Sequence, residues 1–274
     1  MSILQALVLG IVQGLTEFLP VSSSGHLALV QQWFGIKDPP LLFDTMLHVG
    51  TLGAVCFTFW SDIVALLRRP LQKLTGFLIL STVLTALFAF AFKTFRSPET
   101  GLPLLESMWN SSFFLGCAFL VTSLSLLIAE RFACCANTAR GEDAMTWRDA
   151  ALIGMAQGVG VLPGISRSGI TLSAALGCKL ERGFAARFSF LLSIPAILGA
   201  LILQIKDFDA TSYSNVSWPA MLTGTLAAAF TGLVSVRVML RIIRTRRLYL
   251  FVVWTAILGI CLLAGTLLSP GADR

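Results

Sequence analysis

Two short runs hold the side chains best suited to chemistry. The first is Gln13-Gly14-Leu15-Thr16-Glu17-Phe18-Leu19-Pro20-Val21-Ser22-Ser23-Ser24-Gly25-His26, and the second is Pro163-Gly164-Ile165-Ser166-Arg167-Ser168-Gly169-Ile170-Thr171. Gln13 and Glu17 are four apart, so on a helix they share a face and can jointly bind a cation or orient a water. The serines suit a helix start, where Ser is a favoured N-cap, and Ser23 or a neighbour offers a nucleophilic hydroxyl. His26, one of only two histidines in the chain, supplies an acid/base. Arg167 just before a helix restart combines a planar, always-charged fork with free N–H groups and the positive end of a helix dipole, which together trap an anion. Thr171, one turn on, can reach the same ligand.

Pooled, the inventory is an anion clamp (Arg167, Ser166, Ser168, Thr171), a cation site (Glu17 with Gln13), a nucleophile and an acid/base. Phosphoryl transfer needs this set, because positioning, charge neutralisation and proton handling carry most of its catalysis. Structural alternatives stand beside each assignment. Gln13 and Glu17 could be an interhelical hydrogen-bonding pair, and Arg167 could form a buried ion pair with Glu17. His48 reads as a packed, hydrogen-bonded histidine within a span, and Asp44 as an interfacial residue.

The elements that must position these groups are membrane helices. Mean hydropathy is +0.83, with 56% hydrophobic and 12% charged residues over 274 positions, far outside the range of a soluble domain. Apolar stretches long enough to cross a bilayer cover about 44–60, 74–92, 108–129, 184–205, 218–240 and 248–268. Regions 1–43 and 150–182 are apolar too, but Pro, Gly, Ser and charge interrupt each near its middle. No removable signal peptide is expected, since a positive n-region and a cleavage site are both missing. The net charge of +6 does not form a nucleic-acid patch. Fourteen of the 20 Lys and Arg fall in loops 61–73, 130–149, 178–187 and 237–247. The positive-inside rule puts those loops in the cytoplasm and both termini outside. Arg241, Arg244, Arg246 and Arg247 then read as a topology anchor at anionic head groups. The six Cys show neither disulfide nor metal spacing and read as small fillers and free thiols. Loops 93–107 and 206–217, the latter with Tyr213, read as linkers.

A shift of 144 positions lays Gly10, Gln13, Gly14, Ser22, Ser24 and Gly25 on identical residues. Each half, 1–129 and 150–268, is then an interrupted segment followed by three spans, the two joined by loop 130–149 within one membrane domain, 1–274. Three is odd, so the second half starts on the opposite face and the repeats are inverted. Helix is expected over 2–19, with a restart near Ser24 running to about Trp33. In the second half it runs to about Val161, breaks at Pro163-Gly164 and restarts from near Ser168 to Gly177. Both regions read as re-entrant hairpins. Broken backbone at that depth survives only inside protein or along a cavity, so the two tips must meet, as in other inverted repeats with midplane sites. The fold class expected is all-α polytopic: six transmembrane helices and two re-entrant hairpins.

Both runs resemble the signature motifs of the bacterial undecaprenyl-diphosphatase family, often called bacitracin-resistance proteins, and the likeness extends to length, span order and repeat. The first motif allows Glu or Gln at the position of Gln13 and requires Glu at that of Glu17; the second, PGxSRSxxT, is matched at each defined position by Pro163 to Thr171. With Gln at 13, Glu17 is the stronger metal ligand. The resemblance implies hydrolysis of undecaprenyl diphosphate to undecaprenyl phosphate and inorganic phosphate with a divalent cation, Mg²⁺ or Ca²⁺, recycling a lipid carrier for cell-wall peptidoglycan. It places the chain in the bacterial cytoplasmic membrane with the site open to the outer face. Catalytic candidates are His26, Ser23, Glu17 and Arg167; diphosphate-binding candidates are Ser22, Ser24, Gly25, Ser166, Arg167, Ser168, Gly169 and Thr171. Either Ser23 attacks with His26 as base, or His26 attacks and the serine binds. Partners expected are the polyprenyl diphosphate and membrane lipids, with no nucleic acid and a homodimer left open. Type-2 phosphatidic-acid phosphatases share Ser-Gly-His and Ser-Arg elements, but their nucleophilic His is missing after Arg167 here. A flippase of the lipid carrier is the non-enzymatic alternative.

Overall fold

The computed structural model describes residues 1–36, 41–95, 108, 111–135, 139–206, 217–245 and 248–268. Lys37 to Pro40, most of the stretches 93–107 and 206–217 read as linkers, Arg246 and Arg247 lie outside them. The fold is all-helical. The helices are α1 (Ile3–Phe18), α2 (Ser23–Trp33), α3 (Leu41–Thr58), α4 (Trp60–Arg68), α5 (Lys73–Thr94), α6 (Ser112–Cys135), α7 (Trp147–Val159), α8 (Arg167–Gly177), α9 (Arg182–Lys206), α10 (Trp218–Arg244) and α11 (Tyr249–Leu268). Five of them, α5, α6, α9, α10 and α11, are long and apolar enough to cross a bilayer. A sixth crossing results if α3 and α4, bent by 76° at their junction, count as one.

Both interrupted regions form helical hairpins, and local chemistry sets their ends. Ser2 and Gln5 form a capping box at the start of α1. The helix ends at Phe18 because Leu19, before Pro20, is pushed to extended backbone at φ −75°, ψ 143°. Thr146 and Asp149 form the equivalent box ahead of α7, which begins at Trp147, three residues before the expected 150. Ser22 caps α2 and Ser166 caps α8. The turn before α8 uses Gly164 at φ +80°, whereas the turn before α2 holds Ser22 itself at φ 69°, a left-handed conformation that a non-glycine residue adopts only under constraint.

The span expected over 44–60 departs most from expectation. Helix resumes after the bend as α4, inside the stretch read as loop 61–73. Amphipathicity explains it: Ile63 and Leu66 pack on the core while Trp60 and Leu67 stay exposed. Asp62 near the start and Arg68 near the end also complement the helix dipole.

Helix α1 packs most closely on α10, and α7 packs on α5. Small residues allow this approach. A Cβ added at Gly10 would lie 2.3 Å from the Gly224 carbonyl oxygen, and one at Gly154 would lie 2.6 Å from the Ser81 backbone. Against that backbone, the Ser81 hydroxyl donates to the Ala150 carbonyl at 2.7 Å and Gln157 Nε2 donates to Thr85 Oγ1 at 3.0 Å. Phe18, fully buried at the end of α1, meets the edge of Phe190 at 5.8 Å between centroids and so anchors the first hairpin on α9. Cys56, Cys117, Cys178 and Cys261 are free thiols.

Gly10→Ala and Gly154→Ala should each destabilise the protein by about 1–3 kcal/mol through overpacking against backbone. Gly53, an exposed helical glycine with nothing within 4 Å of an added Cβ, is the control, and its change to Ala should be neutral or stabilising. Thermal unfolding of the three variants in detergent distinguishes them.

Candidate active site

The site lies where the tips of the two hairpins meet. Ser24 and Ser168, equivalent under the 144-residue shift, each grip the opposite tip. The Gly164 amide donates to Ser24 Oγ at 3.2 Å, and Ser168 Oγ donates to the Leu19 carbonyl at 3.1 Å. The Ser166 amide donates to Thr122 Oγ1 at 3.0 Å, fastening the second tip to α6.

Glu17 is the hub. Its carboxylate is nearly inaccessible, with 2% of the side chain exposed, and it pairs with the guanidinium of Arg167. Its Oε2 also accepts from Gln13 Nε2 at 2.9 Å and from the Ser23 hydroxyl at 2.7 Å. The second N–H of the Gln13 amide points at His48 Nδ1, 3.0 Å away. An amide nitrogen only donates, so Nδ1 of His48 accepts and is unprotonated in this arrangement. His48 Nδ1 is also 3.6 Å from Glu17. Gln13 Oε1 is fully buried with no hydrogen-bond partner among the described residues, an unpaired acceptor of the kind that buried polar groups rarely keep.

The helix starts present the rest. Ser22 Oγ accepts from the Gly25 amide at 3.2 Å, and Ser166 Oγ accepts from the Gly169 amide at 3.1 Å. The Gly169 amide, a diphosphate-binding candidate, is therefore taken by the cap. The amides at the first two positions of α8, Arg167 and Ser168, lack an in-helix acceptor by their place in the helix. Thr171 is buried, and its hydroxyl bonds the Arg167 carbonyl at 2.8 Å and the Ser189 hydroxyl on α9. It braces the turn that carries Arg167 instead of facing the guanidinium's ligand side. The ring nitrogens of His26 bond elsewhere than Ser23: Nδ1 donates to the Ser22 carbonyl at 2.7 Å and Nε2 accepts from the Trp254 indole N–H at 3.0 Å.

Thus the structure brings Gln13, Glu17, Ser23 and Arg167 into one connected cluster, with Ser22, Ser24, Gly25, Ser166, Ser168 and Gly169 forming its two caps. His26 lies one turn along α2 from Ser23. His48 is a packed, hydrogen-bonded histidine as its sequence suggests, but its partners are the cluster's own Gln13 and Glu17. Asp44 accepts from Gln31 Nε2 at 2.8 Å, an α2–α3 contact. Trp254 went unforeseen, because nothing local to α11 marks a tryptophan as a partner for a residue 228 positions earlier.

Residues 6–261 match the family model for bacitracin resistance protein BacA. The chain belongs to that family. Among BacA relatives, it is 42% identical over 265 residues to an undecaprenyl-diphosphatase of Carboxydothermus hydrogenoformans, covering 96% of this chain and 97% of the relative. It is 40% identical over 263 residues to undecaprenyl-diphosphatase 3 of Bacillus cereus, with 96% and 97% covered. An undecaprenyl-diphosphatase of Halothermothrix orenii is 34% identical over 265 residues, with 96% and 98% covered. The family and the apolar helices together make this a multi-pass membrane protein.

The Glu17–Arg167 pair predicts strong non-additivity. Glu17→Gln or Arg167→Met alone strands the other charge and should lower unfolding stability by about 3–5 kcal/mol. The double variant should lose much less than the two losses added. Unfolding of the three variants in detergent tests this, and simple additivity would show that the pair is not coupled.

Proposed function

We propose that this protein hydrolyses undecaprenyl diphosphate to undecaprenyl phosphate and inorganic phosphate, returning the lipid carrier to cell-wall synthesis. The observation that carries the reading is the Gln13, Glu17, Ser23 and Arg167 cluster between two facing helix starts, in a chain whose relatives bear that enzyme's name.

In the resting protein the charges of Glu17 and Arg167 compensate each other. A diphosphate competes for Arg167 with a stronger, bidentate partner, and the unpaired amides of Arg167 and Ser168 add helix-dipole attraction. Releasing Arg167 frees Glu17 as a base. Ser23 then attacks the terminal phosphorus, passing its hydroxyl proton to Glu17 Oε2. The bond from phosphorus to the bridging oxygen breaks, and undecaprenyl phosphate departs with that oxygen. His26, three residues on along α2, accepts a proton from the water that cleaves the phosphoserine, and Glu17 returns its proton to the departing Ser23 oxygen, regenerating the hydroxyl. The 2.7 Å contact of Ser23 with Glu17 favours this route over attack by His26. The donor set suits a divalent cation such as Mg²⁺ or Ca²⁺: Glu17 Oε1, freed from Arg167, would hold it alongside substrate oxygens, and Gln13 Oε1 would join once its amide, whose Nε2 now faces Glu17, has turned. Such an ion would neutralise charge on the non-bridging oxygens.

The finer architecture belongs to the same proposal. Six spans and two re-entrant hairpins form one membrane domain of two inverted repeats, 1–129 and 150–268. The reciprocal packing of α1 on α10 and α7 on α5 supports this. The Lys and Arg bias supports placing the termini and the mouth of the first hairpin outside the cytoplasmic membrane.

Purified protein should release phosphate from a long-chain polyprenyl diphosphate. Arg167→Ala, Glu17→Ala and Ser23→Ala should each lower kcat by roughly a hundredfold or more, the usual effect of removing one electrostatic or nucleophilic group. His26→Ala should slow the breakdown of a trapped phosphoserine. Full activity in Arg167→Ala or Glu17→Ala defeats the site assignment, and turnover by Ser23→Ala through a phosphohistidine defeats the nucleophile. Lipid flipping without phosphate release would point to a transporter. For orientation, a Cys introduced at Ser97 should react with an external label while one at Asn137 stays protected; the reverse pattern inverts the topology.

A further inference from the structure

His26 has both ring nitrogens committed. The Ser22 carbonyl can only accept, so Nδ1 carries the proton. The indole of Trp254 can only donate, so Nε2 holds the lone pair and that lone pair is already engaged, at 3.0 Å. The two rings lie nearly parallel, 14° apart with centroids at 6.1 Å. The edge contact of Phe119, at 5.5 Å and 83°, blocks rotation from the other side. Gly25 makes that contact feasible, since a Cβ there would come within 2.6 Å of the Phe119 ring.

We infer that Trp254 is a latch on His26: its indole N–H caps Nε2 in the resting enzyme and must withdraw before that nitrogen meets substrate or water. This inference rests on the role given to His26 above. The geometry requires release, because a protonated Nε2 would face the indole N–H donor to donor. It also permits release. Trp254 is 49% exposed on the flank of α11 that carries Leu250, Val253 and Ile257, all more than half exposed. An indole there can turn outward without crossing packed core. Trp254 and His26 come from opposite ends of the chain, so the latch also reports whether α11 is seated against α6 and α2.

The latched form is a non-competent population that must be drawn down before His26 can take the proton from the attacking water, which slows breakdown of the phosphoserine. Trp254→Phe keeps an aromatic ring and removes only the N–H. With the cap gone, carbethoxylation of His26 by diethyl pyrocarbonate, read on its peptide by mass spectrometry, should run roughly fivefold faster, the factor one neutral hydrogen bond is worth. His48, the only other histidine, serves as the internal reference and should be unchanged. Breakdown of a trapped phosphoserine, the step given to His26, should accelerate by a similar factor, with the rate of its formation unchanged. An unchanged rate of His26 modification overturns the latch. So does a slower breakdown of the phosphoserine in Trp254→Phe, which would make Trp254 a merely structural support. Failure of the underlying reading looks different: His26→Ala would then turn over like the unaltered enzyme, whatever Trp254→Phe does.

Discussion

A single ion pair sets the terms for the rest of the molecule. Glu17 sits almost without solvent contact at the tip of one hairpin, opposite Arg167 at the tip of the other. Neither charge is tolerable alone in low dielectric, so each hairpin needs the other for its charge to stay buried. Ser23, Gln13 and His48 then arrange themselves around the carboxylate. Opposed charges held this way are stable at rest and unstable toward any ligand that offers either one a better partner. Structural support at rest and the chemistry proposed for the pair thus draw on the same interaction.

Holding the pair in register demands close helix packing, and small residues supply it. Gly10 lets α1 lie directly on α10, and Gly154 lets α7 lie on α5. Hydroxyls fill the seams: Ser81 and Thr85 bond backbone carbonyls of α7, while Ser235 bonds the Leu15 carbonyl of α1 at 2.8 Å. In a membrane the hydrophobic effect does not drive helix against helix, so such contacts carry the association. Errors of an ångström here would reach Glu17 directly, because it is the penultimate residue of α1.

Local chemistry made much of this legible in advance. Pro20 and Pro163-Gly164 mark the breaks, the serines mark the helix restarts within a residue or two, and the four-residue spacing places Gln13 beside Glu17. Costly polar residues in apolar sequence had to share one buried place, and they do. What escaped depends on contacts between distant segments. The direction of the Thr171 hydroxyl follows from Ser189 on α9. The cap on His26 follows from Trp254. His48 looks the same in sequence whether its neighbour is a leucine or the central carboxylate. The continuation of helix into α4 was hidden by reading charge as loop, when Asp62 and Arg68 instead mark the two ends of a short amphipathic helix.

The reciprocal grip of Ser24 on Gly164 and of Ser168 on Leu19 has a consequence for how the protein is made. The partners lie about 140 to 150 positions apart, so the first hairpin emerges from the ribosome long before the tip that faces it exists. Its broken backbone, Glu17 and the serines cannot rest against lipid. Burial of Glu17 is therefore completed only when the second hairpin arrives, and the two tips close on each other late in synthesis.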